Sequence, residues 1–193
     1  YTAGNRFKGK RANFDYGIEW AYQFGSRAHE LIQAWAWHNE IGYTFTRVPW
    51  KPRIDFEYNH GSGDDKADDG RFKIFDNLFP TNHLYYGYMD FASLRNLDHF
   101  KIGATVKPNG RIKFSVDYHF FFLDTNKSAW FNASQGVIRS PKPGSNGDVG
   151  REVDVTLWCQ IAKHMKLLVG YGYFSAGPFV KDTGADANAN FFY

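Results

Sequence analysis

The chain has 193 residues, 19% of them aromatic and 22% charged, with a net charge of +3 and a negative mean hydropathy. The aromatic content excludes a disordered chain, the small charge makes no case for a nucleic-acid partner, and no run approaches the 18 uncharged apolar residues of a helical membrane span. A transmembrane barrel stays compatible, because its alternating strands barely register in hydropathy.

Taken in order, the opening "YTAGNRFKGK" has no signal-peptide shape. The next stretch, "ANFDYGIEWAYQFG", puts Phe14, Tyr16, Ile18, Trp20, Tyr22 and Phe24 on every second position, with Asp15, Gly17, Glu19 and Gln23 among those between. Successive strand residues point to opposite faces, so this segment has one aromatic face and one polar or small face. Leu31 to Thr46 repeats the rhythm with Leu31, Trp35, Trp37, Ile41, Tyr43 and Phe45, interrupted by Gln33 and Asn39. "RIDFEYNH", "FKIGATVK", "RIKFSVDYHFF", "EVDVTLWCQI" and "KLLVGYGY" continue it. Seven such segments predict an all-β, antiparallel fold of about eight strands, the eighth beginning in the tail "ANANFFY". Cys159 is the sole cysteine, so no internal disulfide forms.

The connections fall into two alternating sets. "RVPWKPR", "VKPNGRI" and "AKHMK" are tight turns, whereas longer polar links occupy about 61–97, 124–150 and 176–188. "DFASLRNL" in the first long link is a candidate short helix. Gly25–Glu30 is the single short link on the long-loop side. Short turns at one end and longer loops at the other is the pattern of outer-membrane barrels, with the short turns in the periplasm.

Two arrangements compete for the faces. A small soluble barrel would turn its aromatics inward, but its interior has room only for its own side chains or one small ligand, and six bulky groups per strand overfill it. The opposite arrangement puts aromatics against lipid, with Trp and Tyr at the interfaces, and the polar face around water. Replacing Ile18 by Arg should then impair insertion, whereas Gln23→Arg should be tolerated. Trp158, Phe174, Phe121 and Leu123 break the rule by facing the lumen. They line a constriction or meet an inward loop, unless a bulge shifts the register.

"FDNLFPTNHLYYGYMD" at Phe75–Asp90 is more distinctive, together with "SVDYHFFFLDTNKSAWFNASQGVIR", "VGREVDVT" and "SAGPFVKDTGADANANFFY". With these motifs the chain resembles the alginate-export family of Gram-negative outer-membrane β-barrels, most strongly over residues 53–193. The resemblance implies a single-chain, many-stranded channel in the outer membrane, whose best-known member carries an anionic polysaccharide out of the periplasm. Family barrels have more strands than this sequence supplies, so the chain is expected to be one barrel domain over residues 1–193, a C-terminal portion of the whole. The partners so implied are outer-membrane lipid and lipopolysaccharide, an anionic polysaccharide or small anionic solute, and periplasmic export proteins.

The tight turns and their flanks, residues 47–53, 107–113 and 162–166, contain Arg47, Lys51, Arg53, Lys107, Arg111, Lys113, Lys163 and Lys166 but no Asp or Glu. A basic mouth would concentrate a polyanion; the alternative is snorkelling to lipid headgroups. Alternation points Arg53, Lys101, Lys107, Arg111 and Lys113 into the lumen. The acids Asp15, Glu19, Asp55, Glu57, Asp117, Glu152 and Asp154, with His119, share that face as candidate pore-lining residues, and opposed acids and bases would make a transverse field or simple ion pairs. "GSGDDKADDGRFKIFD" fails as a calcium loop at Ala67 and is weak at Asp76, leaving a solvated acidic loop. No catalytic set is recognised: Ser115 and His119, four residues apart on a strand, stand about 13 Å from one another. His60, His83, His99 and His164 lack metal-ligand spacing. With no cofactor or ATP-binding signature, the expectation is passive passage of an anionic polysaccharide. The alternatives are a porin for small anions or nutrients, and a structural barrel plugged by a partner protein.

Overall fold

The computed structural model describes residues 1–78 and 82–193; residues 79–81, part of the "FPTNHLYYGYMD" motif, lie outside them. The alternating segments form antiparallel strands: β1 (Thr2–Arg11), β2 (Phe14–Arg27), β3 (Glu30–Thr44), β4 (Arg53–Gly61), β6 (Leu97–Asn109), β7 (Ile112–Phe122), β10 (Asp148–Ala162), β11 (Met165–Ala176) and β12 (Ala189–Phe192). They lie side by side in the order β1-β2-β3-β4-β6-β7-β10-β11-β12, so each pairs with its neighbour in the chain's up-and-down path. β1 and β12 end the order and are not paired with each other. The principal strands β2, β3, β4, β6, β7, β10 and β11 run 9 to 15 residues, against the roughly 9–11 that a tilted strand needs to cross a bilayer.

Shorter pieces are β5 (Arg71–Phe72), α1 (Asn82–Tyr85), the ribbon of β8 (Trp130–Phe131) with β9 (Val137–Arg139), and α2 (Pro178–Thr183). β5 pairs in parallel with β3 through Leu31–Arg71 and Ile32–Phe72. β4 stops at Gly61 opposite Ala36, so β5 covers an edge of β3 that would otherwise be open. β1 has no counterpart among the strands read from the sequence, since "RFKGKR" lacks an apolar alternation. Its register comes from full pairing with β2, Thr2–Gln23 to Arg11–Phe14.

Turns at 12–13, 45–52, 110–111 and 163–164 share one end, and the links 28–29, 62–96, 123–147 and 177–188 share the other. The alternation of short and long connections is thus realised. "DFASLRNL" is not helical; α1, the helix of that link among the described residues, precedes it. The Arg95 amide bonds the Ser93 carbonyl at 2.7 Å, and Asn96 has φ +48°, a left-handed residue that a continuing helix does not accommodate. Fully buried Asn96 is a hub: its Nδ2 donates to the Thr125 and Ala129 carbonyls at 3.0 Å and its Oδ1 accepts the Thr125 amide at 2.8 Å. This joins the first two long links to each other.

The faces divide as the alternation requires. Phe14, Tyr16, Ile18, Tyr22, Trp35, Trp37, Ile41, Phe56, Phe100 and Ile102 are exposed, while Gln23, Asp55, Glu57, Asn59, Ser115, His119, Glu152, Asp154 and Thr156 are buried. A soluble protein has the reverse distribution. Four residues that broke the pattern are explained by packing. Phe121, Leu123 and Phe174 belong to an apolar cluster with Tyr86, Leu97, Trp130, Val149 and Phe179, built at the long-loop end by strand ends, links and α2. They meet inward-folded chain. A register irregularity also occurs nearby, between Asp148 and Gly150. Trp158 remains half-buried and lies under the Lys113 ammonium, 3.5 Å from its ring centre.

Candidate functional site

The polar face carries the chemistry, and its central feature is an ion-pair network around Arg53. This side chain, at the start of β4, reaches across two strands. Its Nη2 lies 2.6 Å from Asp15 and 2.7 Å from Glu40, and Nη1 contacts Asp55. Gly42 makes the reach possible, since a Cβ there would lie 2.2 Å from the guanidinium. Lys101 bridges the neighbouring strands, 2.5 Å from Glu57 and 3.8 Å from Asp55. Glu57 also accepts from Asn59 at 2.7 Å, and a chain of polar contacts runs on from Asn59 to His99 at 2.9 Å and from His99 to His119 at 2.8 Å. His119 Nε2 ends the series 3.4 Å from Asp154. Buried charges need such partners, because an isolated one costs several kcal/mol.

Of the sequence-assigned lining residues, this network gathers Asp15, Arg53, Asp55, Glu57, Lys101, His119 and Asp154. Glu19 stands apart, paired with Arg6 of β1 at 3.3 Å. Asp117 accepts a long hydrogen bond from Ser115, 3.4 Å, and has no ion pair among the described residues. Lys107 and Arg111 are exposed, and neither they nor Lys113 meets a carboxylate at ion-pair distance among the described residues. Bases locked to acids within the sheet, Arg53 and Lys101, and unpaired bases at and beside the short turns are therefore distinct populations. A polar cavity of about 290 Å³ lies between them, lined by residues including Arg53, Lys101, Lys113, Asp117, Tyr88 and Trp158.

The first long link folds over this face as a strap. The Met89 amide donates to Glu152 Oε1 and the Tyr88 amide to Asp154 Oδ2, both at 3.1 Å. Gly87, at φ +86°, brings the backbone so close that a Cβ would lie 2.5 Å from Glu152. Tyr88 stacks on Tyr193 with ring centres 4.4 Å apart. Further up, Gln23 clamps the same link by donating to the Asp76 carbonyl at 2.7 Å and accepting its amide at 2.8 Å. Gln23 is thus not a free lumenal position, and an Arg there would break both bonds; Thr105, half-buried on the same face, is the better site for a lumenal charge. Sequence alternation finds Glu152 and Asp154, but nothing in it announces the backbone amides 63 and 66 residues away that they hold.

In the acidic loop, Lys73 sits among the acids, 2.6 Å from Asp65 and 3.2 Å from Asp69. The hydrogen bond from Lys73, aided by its charge, holds the Asp65 carboxyl below its usual range. This clip is in force above the ordinary carboxylate range and is lost as pH falls through the lowered value. A carboxyl-carbon NMR titration should show a depressed midpoint for Asp65 that returns to the ordinary range in Lys73→Ala; identical midpoints would dismiss the clip.

The family model described as Alginate export matches the chain across residues 1–193. The chain belongs to the alginate-export family. No curated protein matches it as a relative. At the level of the family, the match supports an outer-membrane polysaccharide export channel, a transport rather than an enzymatic class. An all-β sheet with an apolar outside and a charged, strapped inside is the architecture such a barrel requires. No helix among the described residues is long and apolar enough to cross a membrane.

Proposed function

We propose that this chain forms the wall of an outer-membrane pore through which an anionic polysaccharide passes passively, entering at the short-turn, periplasmic end. The observation that carries this reading is the placement of Lys107, Arg111 and Lys113. Lys113 lines the polar cavity, Lys107 and Arg111 lie exposed at the adjacent short-turn end, and none of the three has an ion-pair partner among the described residues, whereas Arg53 and Lys101 are paired with acids of the wall. Unpaired bases attract a polyanion; bases already neutralised by Asp and Glu shape the lining instead. The aromatic face then meets lipid and, on the outer leaflet, lipopolysaccharide, while the open edges of β1 and β12 are completed by further strand pairing, since unpaired edges are not tolerated in hydrocarbon.

Planar-bilayer recording with the assembled channel tests this. The triple variant Lys107→Gln/Arg111→Gln/Lys113→Gln should lower the anion-to-cation permeability ratio and weaken current block by added polyuronate. Unchanged selectivity and block would remove the steering role. A porin for small anions is the second reading, favoured by the strap bonded across the polar face and by the modest size of the polar cavity. Small anions permeating while polyuronate neither blocks nor passes would select it. A barrel plugged by a separate protein, with no conductance of its own, is the third.

A further inference from the structure

Away from the lumen, three metal-ligand side chains meet at the long-loop rim. His60 is the last residue but one of β4, Asp98 the second of β6, and Asp124 follows β7, and their ligand atoms all lie within 4.8 Å of one another. His60 Nδ1 is 2.9 Å from Asp98 Oδ1 and 4.0 Å from Asp124 Oδ1. An ion held by one imidazole nitrogen and two carboxylate oxygens at about 2.0–2.2 Å needs separations of that order.

The surroundings are those of a built site. Tyr58 Oη donates to Asp98 Oδ1 at 2.7 Å, and the Gly63 amide donates to Asp124 Oδ2 at 2.8 Å, which leaves Asp124 Oδ1 directed at the cluster. The imidazole stacks on Trp35, ring centres 4.1 Å apart, and only 5% of its side chain is exposed. It is Nδ1 that faces both carboxylates, while Nε2 lies on the other side of the ring, buried with no hydrogen-bond partner among the described residues. The two carboxylates are about a quarter exposed, 27% and 29%, which leaves one side of the cluster open. Among the described residues neither carboxylate has a Lys or Arg ion pair, in contrast to the lumen, where Arg53 and Lys101 answer the acids. Two carboxylates facing at most one imidazole charge form a cation-attracting spot.

We propose that His60, Asp98 and Asp124 bind one divalent transition-metal ion of the zinc class. Three protein ligands leave a coordination position toward the exposed side for water or an external oxygen ligand. The imidazole favours such an ion over magnesium or calcium, which prefer all-oxygen sites. Bound there, it fastens β4, β6 and the link after β7 at the level where the strands give way to loops. The site stands on its own geometry, so it is independent of what passes through the lumen.

The full chain, folded in detergent and stripped with a chelator, would be titrated with zinc and separately with magnesium by calorimetry. One equivalent of zinc should bind, and magnesium should not bind at the same concentrations. His60→Gln and Asp124→Asn should each weaken zinc binding at least about tenfold, and Tyr58→Phe, which only unfastens Asp98, by roughly 10- to 100-fold. Cobalt in place of zinc should quench Trp35 fluorescence, a signal absent in Trp35→Phe. Asp124→Asn lies outside the strands, so it carries the test if His60→Gln loses the heat-modifiable gel migration of a folded barrel. No stoichiometric zinc binding, magnesium binding as tight as zinc, or full affinity in Asp124→Asn would each overturn the proposal.

Discussion

Ile18→Arg should cost the folded, inserted state about 2–4 kcal/mol, the range for a basic residue on the lipid face near the bilayer midplane. Ile18 sits well inside β2, opposite Phe7 on one side and Asn39 on the other, and is 42% exposed on the aromatic face. Its guanidinium would have to leave water for hydrocarbon or drag water in with it. Thr105→Lys is the matched control on the opposite face. Its ammonium enters the polar cavity near Asp117 and keeps its hydration, so its effect should stay within about 1 kcal/mol. Denaturant titrations in lipid vesicles, followed by heat-modifiable migration, would give both numbers. Equal losses for the two variants would reverse or abolish the assignment of faces.

The alternation in "ANFDYGIEWAYQFG" was enough to separate an exposed aromatic face from a buried polar one, because a strand has a strict two-residue period and any register slip would exchange every side chain. What the period cannot show is how a face is used. Arg53 and Lys107 look equivalent in sequence, both basic and lumen-directed, yet Arg53 is held by three carboxylates from three strands. That difference depends on Gly42 making room on a neighbouring strand, a contact between distant positions. β1 escaped notice because "RFKGKR" carries its fold in pairing with β2 and not in its own pattern. His60, Asp98 and Asp124 have no local spacing at all; only the sheet order β4-β6-β7 makes them neighbours.

Opening of the pore is the expected result of Glu152→Ala/Asp154→Ala. These side chains accept the Met89 and Tyr88 amides, and hydrogen bonds of this kind are worth about 0.5–3 kcal/mol each, the upper end holding only for a charged acceptor. Losing both shifts the docked-to-released ratio of the strap by roughly tenfold or more, at about 1.4 kcal/mol per tenfold. The wall itself should hold, because the pairing of β10 with β7 and β11 runs through the backbone and not through these side chains. Single-channel conductance should rise while the denaturation midpoint of the sheet stays in place. If conductance is unchanged, segment 85–89 is not the constriction. If the sheet melts together with the gain, the acids support the wall and not the strap.

The apolar cluster of Phe121, Phe174, Phe179, Trp130 and Val149 lies inside the sheet's polar face and not on its lipid side. It is a patch of ordinary water-driven core within a protein whose wall answers to lipid, and the two respond differently to temperature. Burial of apolar surface from water weakens on cooling, whereas strand pairing in a bilayer has no such dependence on water structure. Chilling should therefore loosen the loops that this cluster holds while leaving the wall intact, a difference that amide hydrogen exchange in the two regions at low and ambient temperature would reveal.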